Sequence, residues 1–123
     1  MRKGAVRIGV IGSSRSHPKW DEWAFAIGKG IAEQGAVLVC GGLGGVMAAA
    51  ARGARQAGGV AVGILPGTEA EEGNPDITLP IPTGVGEGRN LIVVQSSDAL
   101  IAIGGGAGTE VKPPSRTRTA GGC

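Results

Sequence analysis

Residues 36–47, Ala-Val-Leu-Val-Cys-Gly-Gly-Leu-Gly-Gly-Val-Met, decide the fold. Ala36–Cys40 is a short apolar run that ends in glycine, which reads as a strand covered on both faces, as in a parallel sheet. Gly41–Gly45 is the turn that follows. Val46–Gln56 reads as a helix rich enough in alanine to lie close on that sheet. Working outward, the same unit recurs. Val6–Ile11 is an apolar run ending at Gly12-Ser13-Ser14, and Trp20, Trp23, Ala24, Ile27 and Ile31 form a helical stripe closed by Gly35. Val60–Leu65 is a third strand, ended by Pro66-Gly67. Ile77–Ile81 is at most a short strand, which Pro80 and Pro82 confine to an edge or a loop. Arg89–Ser97 reads as a third helix, and Ala99–Ile103 as a buried strand running into Gly104-Gly105-Gly106-Ala107-Gly108-Thr109. Alternating strands and helices define an α/β fold with a doubly wound parallel sheet, Rossmann-like and three-layered, incomplete at its C-terminus. The expected strand order is 3-2-1, with Ala99–Ile103 on the far side of the first strand and a switch point beside Val6–Ile11.

The composition agrees with one small domain. The chain has 123 residues, of which 25 are glycine and 7 proline, yet 41% are hydrophobic and gathered in runs, an arrangement disordered chains lack. Trp20, Trp23 and Phe25 are the only aromatic residues, so the core must be aliphatic and closely packed. The net charge of +2 belongs to the last fourteen residues, because residues 1–109 carry nine basic and nine acidic side chains. A neutral body without stacking aromatics among its cations argues against polymeric nucleic acid as a partner. Two cysteines, Cys40 and Cys123, form neither a disulfide framework nor a metal-ligating cluster, so no metal site is expected. No run is long enough for a signal peptide or a membrane span, and a cytoplasmic protein is expected.

Three glycine-rich turns, Gly12-Ser13-Ser14, Gly41–Gly45 and Gly104–Thr109, follow strands and so fall on one carboxyl edge of a parallel sheet. Glycine lets an anion approach backbone N–H groups, so such a rim suits phosphate. None of the turns is a P-loop or a Gly-x-Gly-x-x-Gly fingerprint. Ser13 and Ser14 read equally as phosphate donors or as cap and turn residues. His17 reads as a loop residue, Cys40 as a small buried hydrophobe, and the Trp20/Trp23 pair as packing. The acidic stretch between Gly67 and Asp76 reads as a solvated loop.

Gly41-Gly42-Leu43-Gly44-Gly45-Val46-Met47, Gly88-Arg89-Asn90 nine residues before Asp98, and Gly105-Gly106-Ala107-Gly108-Thr109 together resemble the LONELY GUY (LOG) superfamily, once called lysine decarboxylase-like. The closest resemblance is to the branch with the molybdenum cofactor carrier proteins. It covers about residues 5–109. It implies a Rossmann-like fold, usually dimeric, that binds a nucleotide or a phosphorylated pterin through Gly12, Ser13, Ser14, Gly41, Gly42, Gly44, Gly45, Arg89, Gly105, Gly106, Gly108 and Thr109. The implied ligand is a molybdenum cofactor or a nucleoside monophosphate, with no further cofactor required. The alternative is a phosphoribohydrolase. In that branch the arginine matching Arg89 and a glutamate three residues after the motif threonine cleave the N-glycosidic bond of a nucleoside 5′-monophosphate.

Lys112 stands where that glutamate would be, and Pro113-Pro114 follow, so the helix expected there stops within its first turn. On a helix Glu110 would point about 200° away from the required direction. Gly104 and Asn90 replace the proline and lysine of the hydrolases, which favours the carrier-like branch. Residues 110–123 lack apolar periodicity and read as an unfolded tail after a domain of residues 1–109. A truncation or altered reading frame near Thr109 is the expectation, with Ala99–Ile103 left as an exposed edge.

Overall fold

The computed structural model describes residues 4–104 and the backbone path of 109–112. Strand β1 (Arg7–Gly12) leads to helix α1 (Pro18–Glu33), β2 (Val37–Cys40) to α2 (Val46–Gln56), and β3 (Ala61–Leu65) through a long loop to β4 (Leu79–Pro82). Helix α3 (Arg89–Gln95), β5 (Ala99–Ile103) and β6 (Thr109–Lys112) complete the order. The six strands lie as β4-β3-β2-β1-β5-β6, the first five parallel. This is the Rossmann-like α/β sheet expected from the sequence, with the chain reversing direction across the sheet between β1 and β5.

Each strand divides its side chains between two cores. Val10, Leu38 and Ile103 face α1 and α2, while Val39, Ile64 and Val93 meet on the α3 side. The first core is built on alanine: Ala49, Ala50, Ala51 and Ala54 of α2 are all buried. Small side chains bring α1 and α2 into backbone contact at two places. A Cβ on Gly28 would strike the carbonyl oxygen of Ala50, and a Cβ on Gly53 would strike that of Phe25.

Helix α1 is capped by a residue that the sequence left in a loop. The Nδ1 atom of His17 accepts the Lys19 and Trp20 N–H groups at 3.3 and 3.4 Å, and Pro18 fills the first helical position, where no N–H is needed. The imidazole also stacks on Trp20, ring centroids 4.4 Å apart. At the amino edge of the sheet, Arg7 N–H donates to Asp98 Oδ2 at 2.8 Å while Asp98 N–H donates to the Arg7 carbonyl at 2.7 Å. This reciprocal pair sets β5 in register with β1, Ile8 opposite Ala99.

β4 is an edge strand, as its prolines require. Thr83 N–H donates inward to the Leu65 carbonyl, so strand alternation points the Pro80 and Pro82 nitrogens outward, where a donor would invite another strand. The other side of the sheet departs from expectation. The backbone of Thr109–Lys112 pairs antiparallel with β5, Thr109 opposite Ile103 and Lys112 opposite Leu100. Four residues expected as a helical turn and the start of a tail therefore form a strand, and β5 is not an edge. The physical reason is the open hydrogen-bonding edge of β5, which a segment containing β-branched Thr109 and Val111 satisfies. Glu110 therefore stands on a strand, not on a helix where it would turn away from the site. The rest of the expected tail, residues 113–123, lies outside the described residues. Among the described residues no helix is long and apolar enough to cross a membrane.

Two substitutions test this packing. Gly28→Ala should destabilise the protein by about 1–3 kcal/mol in denaturant unfolding, because the helices must separate to admit one methyl group. His17→Ala should cost about 1 kcal/mol through loss of the cap.

Candidate functional site

A cleft of about 410 Å³ opens at the carboxyl ends of β1 and β2, between the glycine turns and α3. Gly12, Ser14, Gly41 and Arg89, all expected at a ligand site, line it. Leu43, Met47, Glu87, Asn90 and Val94 line it as well and were not anticipated.

The first two turns are packed on each other by backbone. Gly45 has a φ of 63°, and a Cβ there would collide with the carbonyl of Ser13. Val46 N–H donates to that same carbonyl at 3.0 Å, which ties the start of α2 to the end of β1. Ser13 is a turn residue, its Oγ accepting Arg15 N–H at 3.0 Å, whereas Ser14 faces the cleft. Gly42 and Gly44 shape the second turn and are not among the cleft-lining residues. Gly105, Gly106 and Gly108 lie outside the described residues, and Thr109 is placed only as the first residue of β6.

Asn74 holds the second turn from outside. Its Nδ2 donates to the Leu43 carbonyl at 2.9 Å and to that of Gly42 at 3.3 Å, and its own N–H donates to Gly42 at 2.9 Å. Its Oδ1 accepts Asp76 N–H at 3.0 Å, an Asx turn. The stretch expected as a solvated loop thus carries a structural side chain. The Asn-Pro-Asp triplet was the available signal, since that pattern marks a side chain bonding the backbone two residues on.

Arg89 is the floor of the site. Only 3% of the residue is exposed, and its guanidinium lies under Gly41 with Nε directed to the Gly41 carbonyl at 3.4 Å. A Cβ on Gly41 would stand 3.0 Å from Nη2 and 2.7 Å from Met47 Sδ, so glycine is what admits the guanidinium there. Nη1 donates to Asn90 Oδ1 at 2.6 Å and to Glu87 Oε1 at 3.1 Å. Among the described residues Glu87 is the only carboxylate in the cleft lining, and it stands on a single 3₁₀ turn, Gly86–Gly88. A buried guanidinium held mainly by neutral acceptors keeps a strong demand for an anion, because its one carboxylate partner is screened by solvent. Asn90, the residue beside it, also bridges back to Glu87 Oε1 at 3.3 Å.

Cys40, fully buried at the end of β2, lies within reach of the Arg89 charge. Desolvation pushes its thiol up to about 11 from an ordinary value near 9, opposed by the Gly42 backbone hydrogen bond and the Arg89 charge. The thiol is therefore neutral and unreactive, a packing residue as expected. Among the described residues no three His, Cys, Asp or Glu side chains gather as a metal site.

The fold and site define a class: a Rossmann-like domain whose glycine rim sits over a buried arginine. Residues 5–112 match the model of the SLOG cluster4 family, and the chain belongs to that family. It is 47% identical over 104 residues to an uncharacterized protein of Archaeoglobus fulgidus, covering 85% of this chain and 68% of that one. Among solved structures it is similar to the molybdenum cofactor binding protein of Rippkaea orientalis, with 38% identity and a TM-score of 0.80 over 85% of this chain and 67% of the other. It is also similar to the molybdenum cofactor carrier protein of Chlamydomonas reinhardtii, with 37% identity and a TM-score of 0.74 over 84% of this chain and 64% of that one. The chain thus spans about two thirds of the length of these relatives.

Cys40 supplies a pH test. A thiol whose folded pKa is raised contributes stability that is complete below about pH 9 and is lost as pH climbs through about 11. The unfolding midpoint in urea should fall across that window more steeply for the native chain than for Cys40→Ala, and native Cys40 should resist alkylation until the protein unfolds.

Proposed function

We propose that this protein binds a phosphorylated small molecule, a pterin of the molybdenum cofactor type or a nucleotide, with its phosphate at the glycine rim and Arg89 as the cationic clamp. The observation that carries the reading is the 3%-exposed guanidinium beneath Gly41, in a cleft that Gly12 and Ser14 of the first turn also line. A planar, permanently charged fork suits phosphate oxygens, and its burial strengthens the attraction. The cleft volume falls in the usual range for small-molecule sites, about 300–1,000 Å³. Its apolar walls, Val10, Ile11, Leu43, Met47 and Val94, suit a ring system attached to the phosphate. The likeness to molybdenum cofactor binding and carrier proteins supports a pterin over other rings.

The hydrolytic alternative needs a carboxylate at liberty to act on the sugar. Glu87, the only one among the described residues lining the cleft, hydrogen-bonds Arg89 and Asn90, which makes it a partner of the anion-binding arginine and not an acid placed at the sugar, and this favours binding over turnover. The dimer implied by the LOG resemblance has an apolar surface available to it. Leu79, Ile81, Val85 and Leu91 are all exposed along the stretch from β4 to α3. A cytoplasmic location with no nucleic-acid polymer or membrane as partner completes the reading.

Calorimetric titration with AMP, and with a phosphorylated pterin followed by its fluorescence, should show saturable binding. Arg89→Lys, which keeps the charge and loses the fork, should weaken it by about tenfold or more. Arg89→Ala should abolish it, and undiminished affinity in a folded Arg89→Ala protein, checked by its thermal transition, would remove Arg89 from the site.

A further inference from the structure

The pairing of Arg89 with Glu87 is unbalanced in a way that bears on ligand selection. The arginine side chain is 4% exposed, while that of its carboxylate partner is 78% exposed. Glu87 adds little as a structural ion pair, because a solvent-exposed carboxylate is screened and its rotamer freedom is costly to fix. Yet it occupies Nη1, the atom beside Asn90 on the wall of the ligand cleft. Its backbone is anchored: Gly84 N–H donates to Gly67 at 2.8 Å, Gly86 N–H to Pro66 at 2.9 Å and Gly88 N–H to Val85 at 3.2 Å. Releasing the carboxylate therefore breaks its bonds to Arg89 Nη1 and Asn90 Nδ2 but moves only an exposed side chain, and Asn90 Oδ1 at 2.6 Å keeps Nη1 bonded when it leaves.

We infer that Glu87 is a resident counter-ion for Arg89, a specificity-determining residue whose carboxylate the ligand's anionic group displaces on binding. The inference rests on the binding reading above and adds its selectivity. An anion that bonds Arg89 alone exchanges one carboxylate-type contact for another and gains nothing. A phosphate monoester has further oxygens for other polar groups lining the cleft, Ser14 among them, and displaces Glu87 with a net gain. Glu87 thus raises the threshold that any anion must exceed, and monoanions such as acetate fall below it.

The test is calorimetric titration of inorganic phosphate, at constant ionic strength, into the native chain, Glu87→Gln and Glu87→Asp. Glu87→Gln removes the charged competitor and should tighten phosphate by about tenfold, the scale of one charge-assisted hydrogen bond. Glu87→Asp keeps the charge but shortens the arm by one methylene, withdrawing it from Nη1, and should also tighten phosphate. Acetate should bind measurably only to the variants. Unchanged or weaker phosphate binding in Glu87→Gln overturns the inference while the binding reading stands. Tightening in Glu87→Gln with native affinity in Glu87→Asp also overturns it, since overall charge and not occupancy of Arg89 would be the cause. Absence of saturable phosphate binding in all three proteins takes down both the reading and the inference.

Discussion

Close approach of backbone to backbone is the constraint on which the rest of this structure depends. With three aromatic residues in the whole chain, the core cannot be filled by large rings, and the layers draw together instead. Gly28 and Gly53 let α1 and α2 cross with carbonyl oxygens facing Cα atoms, and the buried alanines of α2 let that helix pair settle on the sheet. The same economy continues to the carboxyl edge, where Gly45 rests on the Ser13 carbonyl and Gly41 rests on a guanidinium. The rim is thus an extension of the packing rule of the core, and its geometry is fixed by the helix layer behind it.

Against that tight frame, the cleft holds one expensive group. Placing a guanidinium where almost no water reaches it costs several kcal/mol unless hydrogen bonds compensate. The compensation is mostly neutral: a carbonyl from the second turn and an amide from α3. Stability alone would favour an apolar residue of similar size at this position. A buried cation kept under those terms is a cost that packing alone does not explain, and the proposed anionic ligand would offset it.

Much of this architecture was legible in the sequence because the strands are covered on both faces. Val37–Cys40 and Ala99–Ile103 are apolar at every position, a pattern a solvated helix does not produce, and each ends in glycine. Strand order followed from crossover handedness, and the edge position of β4 from its two prolines. Of the residues singled out in the sequence, Gly12, Ser14, Gly41 and Arg89 come together along the cleft. The site was illegible where role depends on a long-range meeting. Asn74 stands more than thirty residues from the turn it secures, and His17 caps a helix with a ring nitrogen in place of the usual hydroxyl or carboxylate. Glu87 was passed over because it lies among glycines in a polar loop, and only the folded chain shows which charge it meets. At β6 the local argument failed for a related reason: the pairing edge of β5 outweighed the expected helical turn.

The clasp that Asn74 places on the second turn also has a bearing on the working life of the molecule. Asparagines in loops degrade when the following backbone nitrogen attacks the side-chain amide and closes a succinimide ring, leaving aspartate or isoaspartate. Here the next residue is Pro75, whose nitrogen carries no hydrogen and is already committed to its own ring. The amide that donates to Gly42 and Leu43 is thereby shielded from the commonest chemical ageing of its residue type, and the second glycine turn keeps an outer fastening that another following residue would leave open to slow decay.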